Sequence, residues 1–272
     1  ARASRPTGCE PWPMNKLTTA TLSDEVFAEG QRRYAEVRSR IDAAAERAGR
    51  DPSGITLVGV AKKQPLERTL AAIHAGLRVL GQSYIQEARD MRPAVESALA
   101  SHPETADIRL EWRMVGQLQR NKAALAARLF DAVESVDRPA LVETLARRAE
   151  MEGCRIDVLL QLSLCGEPQK GGCEAEQAAE LARQVRSCPS LRLSGLMTVP
   201  AADPDPEAAR PVFRALRELR AALAQEDPDF AKAALSMGMS ADLDVAVEEG
   251  ATLVRIGTAL FGERIMPPRS NN

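Results

Sequence analysis

Lys62 closes the apolar run Ile55-Thr56-Leu57-Val58-Gly59-Val60-Ala61, and Lys63-Gln64-Pro65 turns the chain directly after it. A run of this length and β-branched content reads as a buried strand. A lysine at the C-terminal end of such a strand can point into a barrel mouth. There, low polarity and neighbouring cations lower its pKa and make the free amine a nucleophile. The plainer alternative is a side chain that snorkels from a strand end to solvent. Two polar clusters lie far along the chain, Ser236-Met237-Gly238-Met239-Ser240 and Arg255-Ile256-Gly257-Thr258. The hydroxyls of Ser236, Ser240 and Thr258 and the open backbone at Gly238 and Gly257 suit a phosphate dianion, which free N–H groups favour. Alternatively, Ser240 only caps a helix and the glycines only make turns.

Arg255 sits among Leu253, Val254 and Ile256, where an arginine must reach the mouth or find a partner, unless it is an ordinary surface side chain. A lysine on the first strand, a phosphate cradle across the barrel and an arginine between them describe pyridoxal 5′-phosphate held as a Schiff base, an internal aldimine. Arginine is one of the two usual partners of the pyridine nitrogen. It holds its proton too strongly to give it up, so the ring stays largely neutral and is a weaker electron sink.

Eight strands must position these residues. The sequence predicts them at 55–61, 78–80, 111–115, 132–136, 156–162, 193–199, 234–237 and 252–256. Helical patterns fall at 24–47, 66–75, 85–99, from about 121, from Pro139, and at 174–185, 208–224 and 242–249. This alternation predicts an α/β fold, a single-domain (β/α)8 TIM barrel with an extra N-terminal helix. Its active site lies at the C-terminal strand ends, with phosphate between the loops after strands seven and eight. An open doubly wound sheet is the structural alternative. It lacks a Gly-x-Gly-x-x-Gly after the first strand, and no Gly-Lys-Ser/Thr phosphate loop appears either. The barrel is expected over 24–266, between a tail at 1–23 and another at 267–272. Residues 1–13 are either native or foreign residues ahead of a start at Met14.

Composition narrows the function classes. The chain has 272 residues, 44% apolar, with 36 basic and 38 acidic residues and 3% aromatics. No basic stripe or stacking surface marks a nucleic-acid groove. No apolar stretch approaches the roughly 18 residues of a membrane span, and the N-terminus lacks a signal peptide's apolar core. Cysteines at 9, 154, 165, 173 and 188 are odd in number and irregular, which fits a reducing cytoplasm. His74 and His102, the only histidines, lie off the strand ends and are read as structural, so no metal is expected. Cys165 and Cys173 flank a glycine-rich loop that can close over the mouth. They read as unlinked thiols rather than a labile disulfide or a reactive thiol, and Met237 and Met239 as packing residues.

Three groups of residues carry a family resemblance. The first is Val60-Ala61-Lys62-Lys63-Gln64-Pro65 with Gly81-Gln82-Ser83-Tyr84-Ile85-Gln86-Glu87-Ala88. The second is Glu111-Trp112-Arg113-Met114-Val115-Gly116-Gln117-Leu118-Gln119-Arg120-Asn121-Lys122 with Leu193-Ser194-Gly195-Leu196-Met197. The third is Leu235-Ser236-Met237-Gly238-Met239-Ser240-Ala241-Asp242-Leu243 with Val254-Arg255-Ile256-Gly257-Thr258-Ala259-Leu260-Phe261-Gly262. Over about residues 24–264 the chain resembles the pyridoxal-phosphate homeostasis protein family, single-domain relatives of the alanine racemase N-terminal barrel. The resemblance implies a monomer-like barrel, with a dimer as the alternative. It implies the cofactor on Lys62, its phosphate among Ser236, Gly238, Ser240, Gly257 and Thr258, and Arg255 at the ring nitrogen. It also implies storage, delivery or balance of pyridoxal phosphate, transient contact with apo-enzymes that use it, and effects on amino-acid and keto-acid levels.

The chain departs from the family pattern at strand ends. Gln82-Ser83 stand for Glu-Asn, Arg113 and Gln117 for histidines, Ser163 for asparagine, Ala61 for serine and Gln64 for lysine. Ser83 and Ser163 are candidate cofactor contacts. Gln82, Tyr84, Arg113, Gln117 and Arg120 form the candidate substrate side, where Arg113 or Arg120 can hold a carboxylate bidentately. A cofactor carrier is therefore weighed against a divergent enzyme on amino acids, a lyase or exchange enzyme, and against a barrel without cofactor. Racemisation needs an acid/base on each face of the substrate carbon. Alanine racemase takes its tyrosine from an additional C-terminal domain, absent from this sequence, whose only tyrosines are Tyr34 and Tyr84. Little or no alanine racemase activity is expected.

Overall fold

The computed structural model describes residues 23–165 and 171–264. The expected tails, apart from Ser23, Cys9 and the stretch 166–170 of the glycine-rich loop lie outside the described residues. Every apolar run predicted as a strand forms one: β1 (Thr56–Val60), β2 (Val79–Gln82), β3 (Glu111–Met114), β4 (Ala132–Val136), β5 (Ile156–Leu162), β6 (Leu191–Thr198), β7 (Ala234–Ser236) and β8 (Leu253–Ile256). All pairs are parallel and in chain order, and β8 closes on β1 through Thr56↔Leu253 to Gly59↔Ile256.

The helices are α1 (Asp24–Arg47), α2 (Leu66–His74), α3 (Ile85–Ala100), α4 (Ala123–Leu129), α5 (Pro139–Met151), α6 (Ala178–Arg186), α7 (Arg210–Glu226), α8 (Leu243–Glu248) and α9 (Thr258–Phe261). Two helices start later than periodicity suggests because 3-10 turns precede them. Glu174 and Gln177 close a capping box around one turn, and Asp205 caps the other ahead of Pro206.

Strand alternation divides the core in two. Val58, Val79, Leu159, Met197 and Leu253 fill the barrel itself. Leu57, Leu80, Val133, Leu160, Val254 and Ile256 belong to the larger layer under the helices.

The barrel seam has a particular solution. The helix after β8 is a single turn, whose Leu260 and Phe261 lie on the outer face of β1, where a Cβ on Gly59 would meet them at 3.0 and 3.1 Å. The N-terminal helix α1 packs outside this turn, on α2, α8 and α9. It buries Val37, Ile41, Ala44 and Ala45. Gly30 brings it onto α2, where a Cβ would stand 2.6 Å from that of Ala71. Arg40 donates to Asp244 (2.6 Å) and to the Ser240 carbonyl (3.2 Å), so α1 also braces the loop after β7.

This packing generates a prediction. Ile41→Ala removes a fully buried side chain from the seam and should cost about 2–5 kcal/mol, read as a lower urea midpoint. Arg47→Ala removes only exposed ion pairs to Asp244 and Glu248 and should leave the midpoint nearly unchanged. Equal losses would contradict α1 as a structural wall of the barrel.

Candidate functional site

The C-terminal strand ends surround an open cavity of about 540 Å³. Lys62 lies two residues beyond β1 and lines it, half-buried. The turn behind it is held on three sides. The Ala61 N–H donates to the Gly81 carbonyl (3.0 Å), the Lys63 N–H to the Glu87 carboxylate (2.9 Å), and the Gln64 amide to the Gly262 carbonyl (3.1 Å). Lys63 has φ 54°, the one positive value at a non-glycine among the described residues. Such strain persists only where surrounding contacts enforce it. Burial is the main cause that lowers the Lys62 pKa. Arg264, Lys63 and Arg255 add to the lowering, and Glu87 opposes it.

Beside Lys62, at the end of the adjoining β8 and in the loop after β7, stand Gly257, Thr258 and Ser240. Gly238 shapes the first loop with φ 93°, and a Cβ there would come within 2.4 Å of the Ala246 Cβ. Its carbonyl accepts from the Arg255 N–H (2.9 Å), the Met239 N–H donates to Asp242 (2.5 Å), and the Ala259 N–H donates to Ser240 Oγ (3.4 Å). The loops after β7 and β8 are thus tied together. Ser236 and Gly238 lie behind this wall rather than on it.

Arg255 also lines the cavity, although it is only 5% exposed. It donates to Ser236 Oγ (2.7 Å) and to the Thr198 carbonyl (2.8 Å). Ser236 Oγ in turn donates to Glu134 (2.5 Å), and the other Glu134 oxygen accepts from Arg113 (3.0 Å). Arg113 ends the chain on Glu111 (2.7 Å). Burial weakens the Arg113 cation, but Glu134 and Glu111 outweigh it and hold its pKa above the ordinary value. For Arg255 burial wins and lowers the pKa, against Glu134 and Asp242.

The remaining expected residues divide. Ser83, Tyr84 and Gln117 line the cavity, with Tyr84 48% exposed. Gln82 shares its strand face with Leu80, toward the helices, and both its amide atoms are buried without a partner. Arg113 is committed to two carboxylates and offers no fork to a substrate. Arg120 is exposed in a 3-10 turn outside the cavity wall, and Ser163, whose N–H donates to the Cys173 carbonyl (2.9 Å), is off the wall too. His74 packs edge-on against Phe27 and His102 lies 4.0 Å from Glu104. Met237 is buried as expected, whereas Met239 reaches the cavity wall.

The described end of the glycine-rich loop meets the cavity rim at Gln117. The Gly172 N–H donates to Asp137 (3.3 Å), and a Cβ on Gly171 would overlap the Gln117 amide at 2.1 Å. Cys165 and Cys173 are both unpaired, and burial pushes the Cys173 thiol up to about 11, which leaves it unreactive.

Sequence reasoning missed Glu134, Gln161 and Arg264. Glu134 had a legible signal, a lone charge within the apolar strand Ala132-Val133-Glu134-Ser135-Val136. Gln161 and Arg264 line the cavity but had none beyond a polar residue near a strand or helix end.

The lowered Lys62 pKa is testable without any ligand. Between the folded pKa and the ordinary lysine value of about 10.4, the unfolded side chain binds more proton than the folded one. Lys62 therefore opposes folding at neutral pH, and that penalty fades as pH rises through this window. The pH midpoint for amine labelling of Lys62 should lie below that of a free lysine peptide. An equal or higher midpoint would contradict the environment described.

Comparison with known proteins gives these loops a family. The profile of the alanine racemase N-terminal domain matches residues 34–265. The pyridoxal phosphate homeostasis protein of Vibrio cholerae is 38% identical over 234 residues, covering 86% of this chain and 96% of its own. A crystal structure from Bifidobacterium adolescentis superposes with a TM-score of 0.81 at 32% identity, covering 89% of this chain and 98% of that one. PipY of Synechococcus elongatus, with pyridoxal phosphate bound, gives 0.68 at 32% identity, covering 83% of this chain and all of PipY. The chain belongs to the pyridoxal phosphate homeostasis protein family, built on the alanine racemase N-terminal domain fold.

Proposed function

We propose that this protein binds pyridoxal 5′-phosphate on Lys62 and serves cofactor homeostasis, holding the cofactor and delivering it to apo-enzymes. The observation that carries this reading is the placement of a lysine with a lowered pKa in one cavity with Ser240, Gly257, Thr258 and Arg255. The donor set fits the cofactor's three functions. An uncharged amine attacks an aldehyde carbon. Hydroxyls and backbone N–H groups on two linked loops suit a phosphate. A fixed guanidinium suits a pyridine nitrogen.

When bound, the cofactor supplies an electron sink for carbon acids. The protein's own groups set how strongly. Lys62 anchors the aldehyde end, and Ser240, Gly257 and Thr258 hold the phosphate end. Arg255 keeps its proton, so it orients the ring nitrogen without charging it, which limits the sink. Glu134 and Glu111 occupy Arg113, so it leaves no bidentate carboxylate site on that wall. Tyr84 is the one tyrosine on the wall among the described residues, while Tyr34 bonds to the Gly76 carbonyl on the outer layer. These features favour retention and transfer over racemisation, and no observation favours the lyase or exchange reading.

Titration of the purified protein with pyridoxal phosphate should give a visible absorption band that Lys62→Ala lacks. The loaded protein should then restore activity to an apo-enzyme that requires this cofactor. An unchanged band in Lys62→Ala would refute the anchor. A loaded protein that converts amino acids to released product, without donating cofactor, would refute the delivery role.

A further inference from the structure

The barrel interior between β3, β4, β7 and β8 contains a polar chain whose link from Glu134 to Arg255 no step above requires. Glu134 is 0% exposed, yet it bridges two cations from opposite sides of the barrel. One oxygen takes Arg113 directly and the other takes the single proton of the Ser236 hydroxyl. Because that proton is committed, Ser236 can only accept from Arg255, which it does at 2.7 Å. The Thr198 carbonyl takes a second Arg255 nitrogen, so the guanidinium has a fixed plane.

We propose that Glu134 is the positioning residue of Arg255: through Ser236 it fixes the guanidinium in the cavity, and its carboxylate offsets the cation that faces Lys62. The effect of Arg255 on a bound cofactor rests on the pyridoxal phosphate reading; its effect on Lys62 does not. The charges around Lys62 are Glu87 from α3, Lys63 in its own turn, Arg255 from β8 and Arg264 after α9. Those around the relay are Arg113 and Glu111 from β3, with Asp242 acting on Arg255 from the start of α8. Three of the four groups around Lys62 are cations. Removing the Glu134 charge makes the cavity more positive and favours the neutral amine further.

Glu134→Gln keeps the shape of the relay and removes its charge, whereas Ser236→Ala keeps every charge and cuts the relay. Urea unfolding first establishes which variants fold. In unloaded, folded Glu134→Gln, the pH midpoint of Lys62 labelling should fall relative to wild type. An unchanged or raised midpoint overturns the proposal. In Ser236→Ala loaded with pyridoxal phosphate, the pH profile of the visible absorption should shift, because Arg255 no longer has a fixed plane. An unchanged profile overturns the positioning role, and this arm decides if Glu134→Gln does not fold. If wild type takes up no pyridoxal phosphate, the functional reading fails, and the labelling arm still tests Glu134.

Discussion

Charge buried inside a barrel must be neutralised by other buried charge, and the Glu111–Arg113–Glu134–Ser236–Arg255 chain meets that constraint here. An arginine on β8 without this chain would be an unpaired cation in an apolar interior. With it, Arg255 can stay almost wholly buried and still present part of itself to the cavity. The same residue sets the loop above, because its backbone N–H holds the Gly238 carbonyl. Loss of the chain would therefore disturb both the cavity's electrostatics and the loop that carries Ser240.

The outer scaffold reaches the same loop from the other side. The one-turn α9 lies on β1, and α1 packs over it with an apolar face. The polar edge of that helix then carries Arg40 to Asp244 and to the Ser240 carbonyl. A single segment thus packs the outer layer at the seam and braces the loop that carries Ser240. The Lys62 turn is fixed by Glu87, Gly81 and Gly262, the last of which caps α9, on which α1 packs.

The strands were legible because they are short β-branched runs bounded by turn residues, and their number and alternation allowed few architectures. Lys62 and Arg255 stood out because a charge at the end of an apolar strand has to be explained. Glu134 obeys the same rule but sits mid-strand, where attention to strand ends overlooks it. The side-chain period of two decides which strand-end residues face the cavity, and local sequence does not display it across a closed barrel. Gln82 and Ser83 are neighbours, yet Ser83 lines the cavity while Gln82 faces the helix layer. Arg113 looked like a carboxylate binder from sequence because its two partners, Glu111 and Glu134, become neighbours only in the folded sheet. The extra N-terminal helix was legible, but that it packs on a one-turn α9 was not, because no helix after strand eight is read from the sequence.

The central claim is that Lys62 carries the cofactor. Borohydride reduction of the protein loaded with pyridoxal phosphate, followed by peptide mass spectrometry, tests it most directly. The account predicts one phosphopyridoxyl group per chain, on the peptide containing Lys62. A label on Lys63, Lys122 or Lys232 with Lys62 unmodified would contradict it.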